Sequence, residues 1–180
     1  ITQHIGAYQI ERPSTTAIAG QASSGDKQKI TFIDTPGHEA FAKMRVRGAR
    51  VADIAVLVVA GNDGVMPQTI ESIHHIQEAK IPFIVALNKI DLPDINLEKI
   101  KKQLTKAGVN LEEYGGETPV VPVSAKNNTG VDKLLEMILL VADIAHLICD
   151  PERSQGAQGV VIETSVDSKR GNSATLLVKD

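Results

Sequence analysis

The sequence predicts an α/β fold built on a mainly parallel sheet with flanking helices. Three observations predict it. Ile54 to Ala60 and Phe83 to Leu87 are unbroken apolar runs of strand length, which suit strands covered on both faces. Segments with helical apolar spacing lie between such runs. Polar loops follow the runs, at the carboxyl strand ends where open parallel sheets bind ligands.

The elements follow in order. Gly6 to Ile10 and Ile30 to Ile33 are short, moderately apolar strands, and the polar stretch Ala22 to Gln28 is a turn of the kind that joins a hairpin. Glu39 to Ala49 reads as a helix. After the Ile54–Ala60 strand, Gln68 to Ala79 reads as a helix led by Pro67, a good first-turn residue. Asn96 to Ala107 is a third helix, closed by Gly108. Val120 to Val123 is a strand whose Pro122 favours a sheet edge or a strand end. In Asp132 to Leu147, the residues Leu134, Leu135, Ile138, Leu139 and Ala142 share one helical face. A composition break follows, with Asp150 to Gln155 reading as a linker. Gly159 to Val166 and Ala174 to Lys179 then read as strands around the turn Asp167 to Asn172, the first hairpin of a β domain.

Composition bounds the function. The chain has 180 residues, room for one domain and part of a second. Apolar residues make up 42% and aromatics 3%, so the core is aliphatic. A net charge of −3 argues against nucleic-acid binding through a broadly basic surface and leaves only local patches. The single cysteine, Cys149, has no internal disulfide partner, which fits a reducing compartment. No run approaches the roughly 20 apolar residues of a membrane span, and no basic segment leads into an apolar run at the N-terminus. The expectation is a soluble, cytoplasmic protein.

The loops after Ile33, Ala60, Leu87 and Val123 are therefore the ones to inspect. After Leu87 stands Asn88-Lys89-Ile90-Asp91. An ionised carboxylate only accepts hydrogen bonds and has room for two donors. Guanine offers two adjacent N–H donors on its Watson–Crick edge, where adenine presents an acceptor and lacks the second donor. Asp91 therefore reads as a guanine selector. Asn88 either holds the loop or meets the far edge of the base, and the Lys89 stem lies across its face. Recognition of this kind rejects the wrong ligand by about 10⁴–10⁵. The plainer alternative is a short polar loop with no ligand. After Val123 stands Ser124-Ala125-Lys126, where a backbone N–H would donate to O6 of guanine. By itself that tripeptide signals little; its position after the next strand gives it weight.

Ile30 to Ile33 runs into Asp34-Thr35-Pro36-Gly37-His38. A carboxylate at such a strand end would hold Mg²⁺, directly or through water. Gly37 lets a backbone N–H approach a terminal phosphate without a Cβ in the way. His38 would orient an attacking water. The alternative is a strand–turn–helix junction in which Asp34 caps a helix and His38 is a surface residue.

Together, in this order, the three loops resemble the GTPase signature set. The segments 34–41, Asp63 to Thr69 and Ile1 to Tyr8 are similar to bacterial-type translation initiation factor two, a translational GTPase family. Elongation factors share the D-x-P-G-H pattern but not the His4-Ile5-Gly6-Ala7-Tyr8 stretch. The resemblance implies a P-loop-GTPase-type domain over residues 1–149, a linker at 150–156, and the start of a translational β-barrel domain at 157–180. It implies GTP and GDP as ligands with Mg²⁺, Thr2 and Asp34 at the metal, and His38 as the catalytic residue positioning water. It further implies nucleotide contacts from Thr35, Pro36, Gly37, Asn88, Lys89, Asp91, Ser124, Ala125 and Lys126. The implied partners are the ribosome and initiator formylmethionyl-tRNA, with a monomeric protein and no membrane. The resemblance also implies two switch segments, the first holding Thr2 and the second starting at Asp34, that GTP orders and hydrolysis releases.

One departure is large. No G-x-x-x-x-G-K-[ST] phosphate loop occurs in these residues, and the pair Gly-Lys is absent altogether. The expectation is an internal piece of a longer factor, with strand edges left open where the phosphate-loop strand belongs, and little or no GTP turnover by the piece alone. The competing readings are another translational GTPase of the elongation type and a non-hydrolysing scaffold protein that lost its phosphate loop. Other features read plainly. His74 and His75 are helix-surface residues without a third metal ligand. Arg45, Arg47 and Arg50 form a solvated face or touch RNA phosphates. Lys99, Lys101, Lys102 and Lys106 are the wet side of an amphipathic helix.

Overall fold

A computed structural model describes residues 6–13, 27–35, 48–49, 51–145, 147, 159–167 and 171–178. The chain divides into two compact units, Ile1–Val51 with Ile148–Asp180, and Ala52–Leu147. In the first, β1 (Gly6–Pro13) pairs antiparallel with β2 (Lys27–Asp34), Gly6 opposite Asp34 and Pro13 opposite Lys27. Tyr8 and Phe32 face each other and stack with ring centroids 5.2 Å apart. Both strands outrun the expected apolar cores. Glu11 opposite Lys29 and Arg12 opposite Gln28 extend the ladder through polar pairs, and β2 begins inside the expected turn. Backbone hydrogen bonding and opposite charges carry those rungs, and apolar patterning does not mark them.

The unit Ala52–Leu147 alternates strand and helix. It contains β3 (Ala55–Ala60), α1 (Pro67–Ala79), β4 (Phe83–Asn88), α2 (Leu97–Lys106), β5 (Val120–Pro122) and α3 (Val131–Ile144). The three strands form one parallel sheet in the order β3-β4-β5. On one face Leu57, Val59, Val85 and Leu87 meet Ile73 and Ile76 of α1 and Ile100 and Leu104 of α2 in one core. On the other, Ile84, Ala86, Val121 and Val123 are buried, and α3, which buries Ile138 and Leu139, lies against β4. Burial on both faces is why β4 reads as an unbroken apolar run, whereas β3, equally apolar in sequence, buries Leu57 and Val59 and leaves Val58 exposed.

Helix ends follow local chemistry. Pro67 is the first residue of α1, and the Met66 N–H donates to Thr69 Oγ1 at 3.2 Å. Asn96 caps α2, its Oδ1 accepting the Lys99 N–H at 2.9 Å. As expected of a strand with a proline at an edge or an end, β5 is an edge among the described residues. Pro122, its last residue, has no N–H, and the Val123 N–H makes the next bond to the Leu87 carbonyl at 2.8 Å. Among the described residues β3 has a strand partner on one side only. One element was not expected, a single 3-10 turn at Glu112–Tyr114 between Leu111 and Thr118, which pair in an isolated bridge.

In the C-terminal part, β6 (Gly159–Asp167) pairs antiparallel with β7 (Gly171–Val178), with a register shift between Val161 and Glu163. The hairpin is longer than expected, since β7 starts at Gly171 and not Ala174. Val160, Val161, Leu176 and Val178 are exposed on it; a two-stranded ribbon supplies no second layer of its own. The expected linker and Cys149 lie outside the described residues, as does most of the expected Glu39–Ala49 helix, of which Gly48 and Ala49 are seen as helical.

Candidate functional site

The loops after β4 and β5 converge. Asn88 ends β4, and Lys89 turns the chain in the left-handed region at φ 65°. The Asn88 side chain ties the two loops: its Oδ1 accepts the Lys89 N–H at 2.7 Å and the Ala125 N–H at 3.1 Å. Of the two roles open to Asn88, holding the loop is therefore the one its oxygen performs. Asp91 sits opposite Ser124, whose hydroxyl donates to Asp91 Oδ1 at 2.6 Å and accepts the Asn127 N–H at 3.2 Å. Ser124 is 1% exposed, a fixed hub beneath an accessible carboxylate.

Backbone bonds hold this hub. Ser124 and Thr129 exchange N–H···O bonds of 2.8 and 3.0 Å, closing the turn that carries Ala125 and Lys126. Gly130 follows at φ 74°, where a Cβ would sit 2.3 Å from the Pro122 carbonyl oxygen; only glycine fits. The Ile90 N–H donates to the Val123 carbonyl at 3.3 Å and stitches the β4 loop to β5.

The Ser124 hydroxyl holds the Asp91 carboxyl below the usual carboxylate range, with a smaller pull from the Lys126 ammonium and some opposition from burial. Asp91 is thus an anion at neutral pH. One hydrogen bond from Ser124 leaves a carboxylate capacity for two further donors. The Ala125 N–H is engaged with Asn88, whereas no hydrogen bond among the described residues uses the Lys126 N–H. The pair of loops can therefore accept two adjacent N–H groups and donate one.

The other predicted residues are placed as follows. Asp34 ends β2 with its side chain exposed, and Thr35 follows, partly buried. Thr2, Pro36, Gly37 and His38, with Arg45, Arg47 and Arg50, lie outside the described residues. His75 stands 3.5 Å from Glu71 and 4.0 Å from Glu78, while His74 is exposed. Lys101 departs from expectation. Two positions from Lys99 it points to another side of α2, where it pairs with Glu98 at 3.0 Å and with Glu113, its side chain only 12% exposed. The sequence reading also missed Asp63, whose Oδ2 lies 3.5 Å from Lys89 Nζ. Its signal was an acid in the loop after Ala60, a strand end already marked for inspection.

A site of this form, on a parallel sheet flanked by helices, defines a nucleotide-binding domain class, and comparison gives the family. Residues 1–143 match the model of the Elongation factor Tu GTP binding domain, and the chain belongs to that family of translational GTPases. Within it the chain is similar to proteins named Translation initiation factor IF-2. That of Desulforamulus reducens is 53% identical over 180 residues, all of this chain and 17% of the relative. That of Lysinibacillus sphaericus is 52% identical over 180 residues, 22% of the relative. The resemblance drawn from the motifs is borne out, and the chain spans about a fifth of the length of these relatives. Among solved structures, GDP-bound aIF5B from Aeropyrum pernix matches with a TM-score of 0.65 and 28% identity, over 83% of this chain and 30% of that one. Elongation factor SelB from Methanococcus maripaludis, in complex with the GTP analogue GPPNHP, matches at 0.71 and 23% identity over 98% and 36%, and speaks to the fold alone.

Proposed function

We propose that residues 1–149 form the guanine-nucleotide-binding domain of a GTP-hydrolysing translation initiation factor, joined through 150–156 to the start of a β-barrel domain at 157–180. The observation that carries the reading is the cup made by Asn88, Asp91, Ser124 and Ala125, in which one side chain fixes both loops and leaves a carboxylate facing outward. Asp91 accepts the N1–H and N2–H of guanine, the Lys126 N–H is the free donor toward O6, and the Asn88 amide nitrogen is directed to the far edge of the base. The Lys89 stem covers one face of the ring. Adenine would leave Asp91 facing an acceptor, and that mismatch excludes it.

Asp34, at the end of β2, offers an exposed hard-oxygen donor, the ligand type magnesium prefers. Asp34 and Thr2 would hold Mg²⁺, which neutralises phosphate charge when bound. His38 orients the water that attacks the γ-phosphorus; the bond to the β-phosphate oxygen breaks, giving GDP and phosphate. Thr35, Pro36 and Gly37 line the same segment, with the Gly37 N–H toward the γ-phosphate. The names of the relatives support the ribosome as partner, and the reading extends to initiator formylmethionyl-tRNA and to a monomer in the cytoplasm. Because these 180 residues contain no Gly-Lys pair, and so no phosphate-loop lysine, the isolated chain does not turn over GTP.

The test is a titration of the full-length protein with a fluorescent GDP analogue, competed with GDP, GTP and ATP. Displacement by both guanine nucleotides and not by ATP is expected; equal displacement by ATP would sink the base-reading assignment. Hydrolysis by the isolated chain above a His38→Ala control would refute its proposed inactivity.

A further inference from the structure

The loop after β3 carries no assigned role, yet it is built against the base-reading loop. Gly61 donates its N–H to the Asn88 carbonyl at 2.7 Å, so the two strand ends are tied by a backbone bond beyond the ladder. A side chain at Gly61 would collide there, its Cβ 2.9 Å from Ile95 Cδ1 and 3.1 Å from the Asn88 carbonyl oxygen. Two residues on, the Asp63 and Gly64 N–H groups both donate to the Ala60 carbonyl, at 3.2 and 2.9 Å, and fold the loop tightly. The Asp63 carboxylate is then held by its neighbour: Asn62 Nδ2 donates to Oδ1 at 2.7 Å. That bond leaves Oδ2 toward Lys89, with Nζ at 3.5 Å.

Lys89 gains from such a partner. Its backbone lies at φ 65°, a left-handed conformation that a non-glycine residue holds where its surroundings impose it. Its long stem has many rotamers, and restricting them before a ligand arrives removes part of the cost of binding. The pair is about half exposed, 46% for Lys89 and 49% for Asp63, so in water it is a weak tether. A base laid along the stem would exclude water from one side and strengthen it.

We infer that Asp63 is a positioning residue for nucleotide binding: oriented by Asn62, it holds the Lys89 ammonium so that the Lys89 stem lies ready along the face of the guanine base. The inference rests on the base-reading assignment to residues 88–91. Asp63 touches no nucleotide atom; it acts on residence time and affinity through Lys89. Base selectivity stays with Asp91, so the ratio of guanine to adenine affinity is independent of Asp63.

The experiment is a double-mutant cycle in the full-length protein, read as the dissociation rate of a fluorescent GDP analogue. Asp63→Asn keeps a hydrogen-bonding oxygen for Asn62 and removes the charge; Lys89→Met keeps an unbranched stem and removes the ammonium. Asp63→Asn is expected to raise the dissociation rate about three- to fivefold, the scale of one such pair. In the Lys89→Met background it should change nothing, and Asp63→Glu should recover part of the loss. The guanine-over-adenine ratio should match the parent protein throughout. An equal effect of Asp63→Asn in both backgrounds, or none in the parent, overturns the inference while the base reading stands. A parent protein with no preference for guanine overturns both.

Discussion

Two polar networks tie separate segments of the Ala52–Leu147 unit together, and they differ in what they leave unsatisfied. One joins α2 to the 3-10 turn: Lys101 pairs with Glu98 and Glu113, and the Tyr114 hydroxyl donates to Glu98 at 3.2 Å. The carboxylates there hold the Lys101 ammonium above its ordinary range, Glu113 first and then Glu98, and Lys101 in turn lowers Glu98. Each charge has its partner inside the network. The other network joins the loops after β4 and β5 through Asn88, Asp91 and Ser124, and it ends in an accessible carboxylate and an unused Lys126 N–H. The first is a staple and the second a socket. Counting hydrogen-bonding capacity left over separates them, where counting charges would rank the staple higher.

The sharpest way to break the comparison is at the socket. Asp91→Ala should weaken GDP binding by the full-length protein about 100-fold or more, because two charge-assisted bonds vanish. Asp91→Asn should move preference from guanine toward xanthine, whose C2 carbonyl accepts from the new amide; competition with both nucleotides reads this. Unchanged GDP binding in either variant would remove Asp91 from the site. Next comes the frame of the socket. Gly130→Ala forces a Cβ to 2.3 Å from the Pro122 oxygen at φ 74° and should cost about 1–3 kcal/mol in denaturant unfolding.

A smaller loss is expected from Ser124→Ala, about tenfold in GDP affinity, since Asp91 and the Asn127 N–H both lose a partner. The acid profile carries the sign. A depressed Asp91 value contributes stability that is present above the ordinary carboxylate value near 3.8 and is lost as pH falls through the folded value. The parent should therefore lose more stability than Ser124→Ala on acidification from pH 5, by unfolding at stepped pH. The smallest effect belongs to the staple. Lys101→Met should cost about 1 kcal/mol at neutral pH and leave GDP binding unchanged. Since Lys101 is raised, its contribution is fully present below the ordinary lysine value of 10.5 and disappears as pH rises through the folded value. Parent and variant should thus converge in stability at high pH.

Much of the fold could be read from one-dimensional pattern. The runs at 54–60 and 83–87 became β3 and β4; burial on both faces removes any polar alternation from β4, while in β3 the apolar run continues through the exposed Val58. The apolar stripe of 132–147 became α3, and Pro67 and Asn96 marked helix starts through local backbone chemistry. The 3-10 turn at Glu112–Tyr114 was missed, since its three residues, Glu112, Glu113 and Tyr114, are exposed and carry no apolar period. In the candidate site, residue type and order single out Asp91 and Ser124, which the structure brings into hydrogen-bond contact. Asp63 was passed over because its partner stands 26 residues away, on the loop of another strand.

The sequence by itself determined the alternation of strand and helix, the polar residues of the loops after β4 and β5, and the family, because these depend on local spacing and on residue chemistry. Tertiary structure alone decided how each polar group is used: that Asn88 holds two loops, that Ser124 sits buried beneath Asp91, that Lys101 turns away from its neighbours to clamp Glu113, and that Asp63 reaches Lys89. The physical reason is that hydrogen bonds and ion pairs act over about 3–4 Å, and only the packing of β3, β4 and β5 side by side brings residues so distant in sequence within that range.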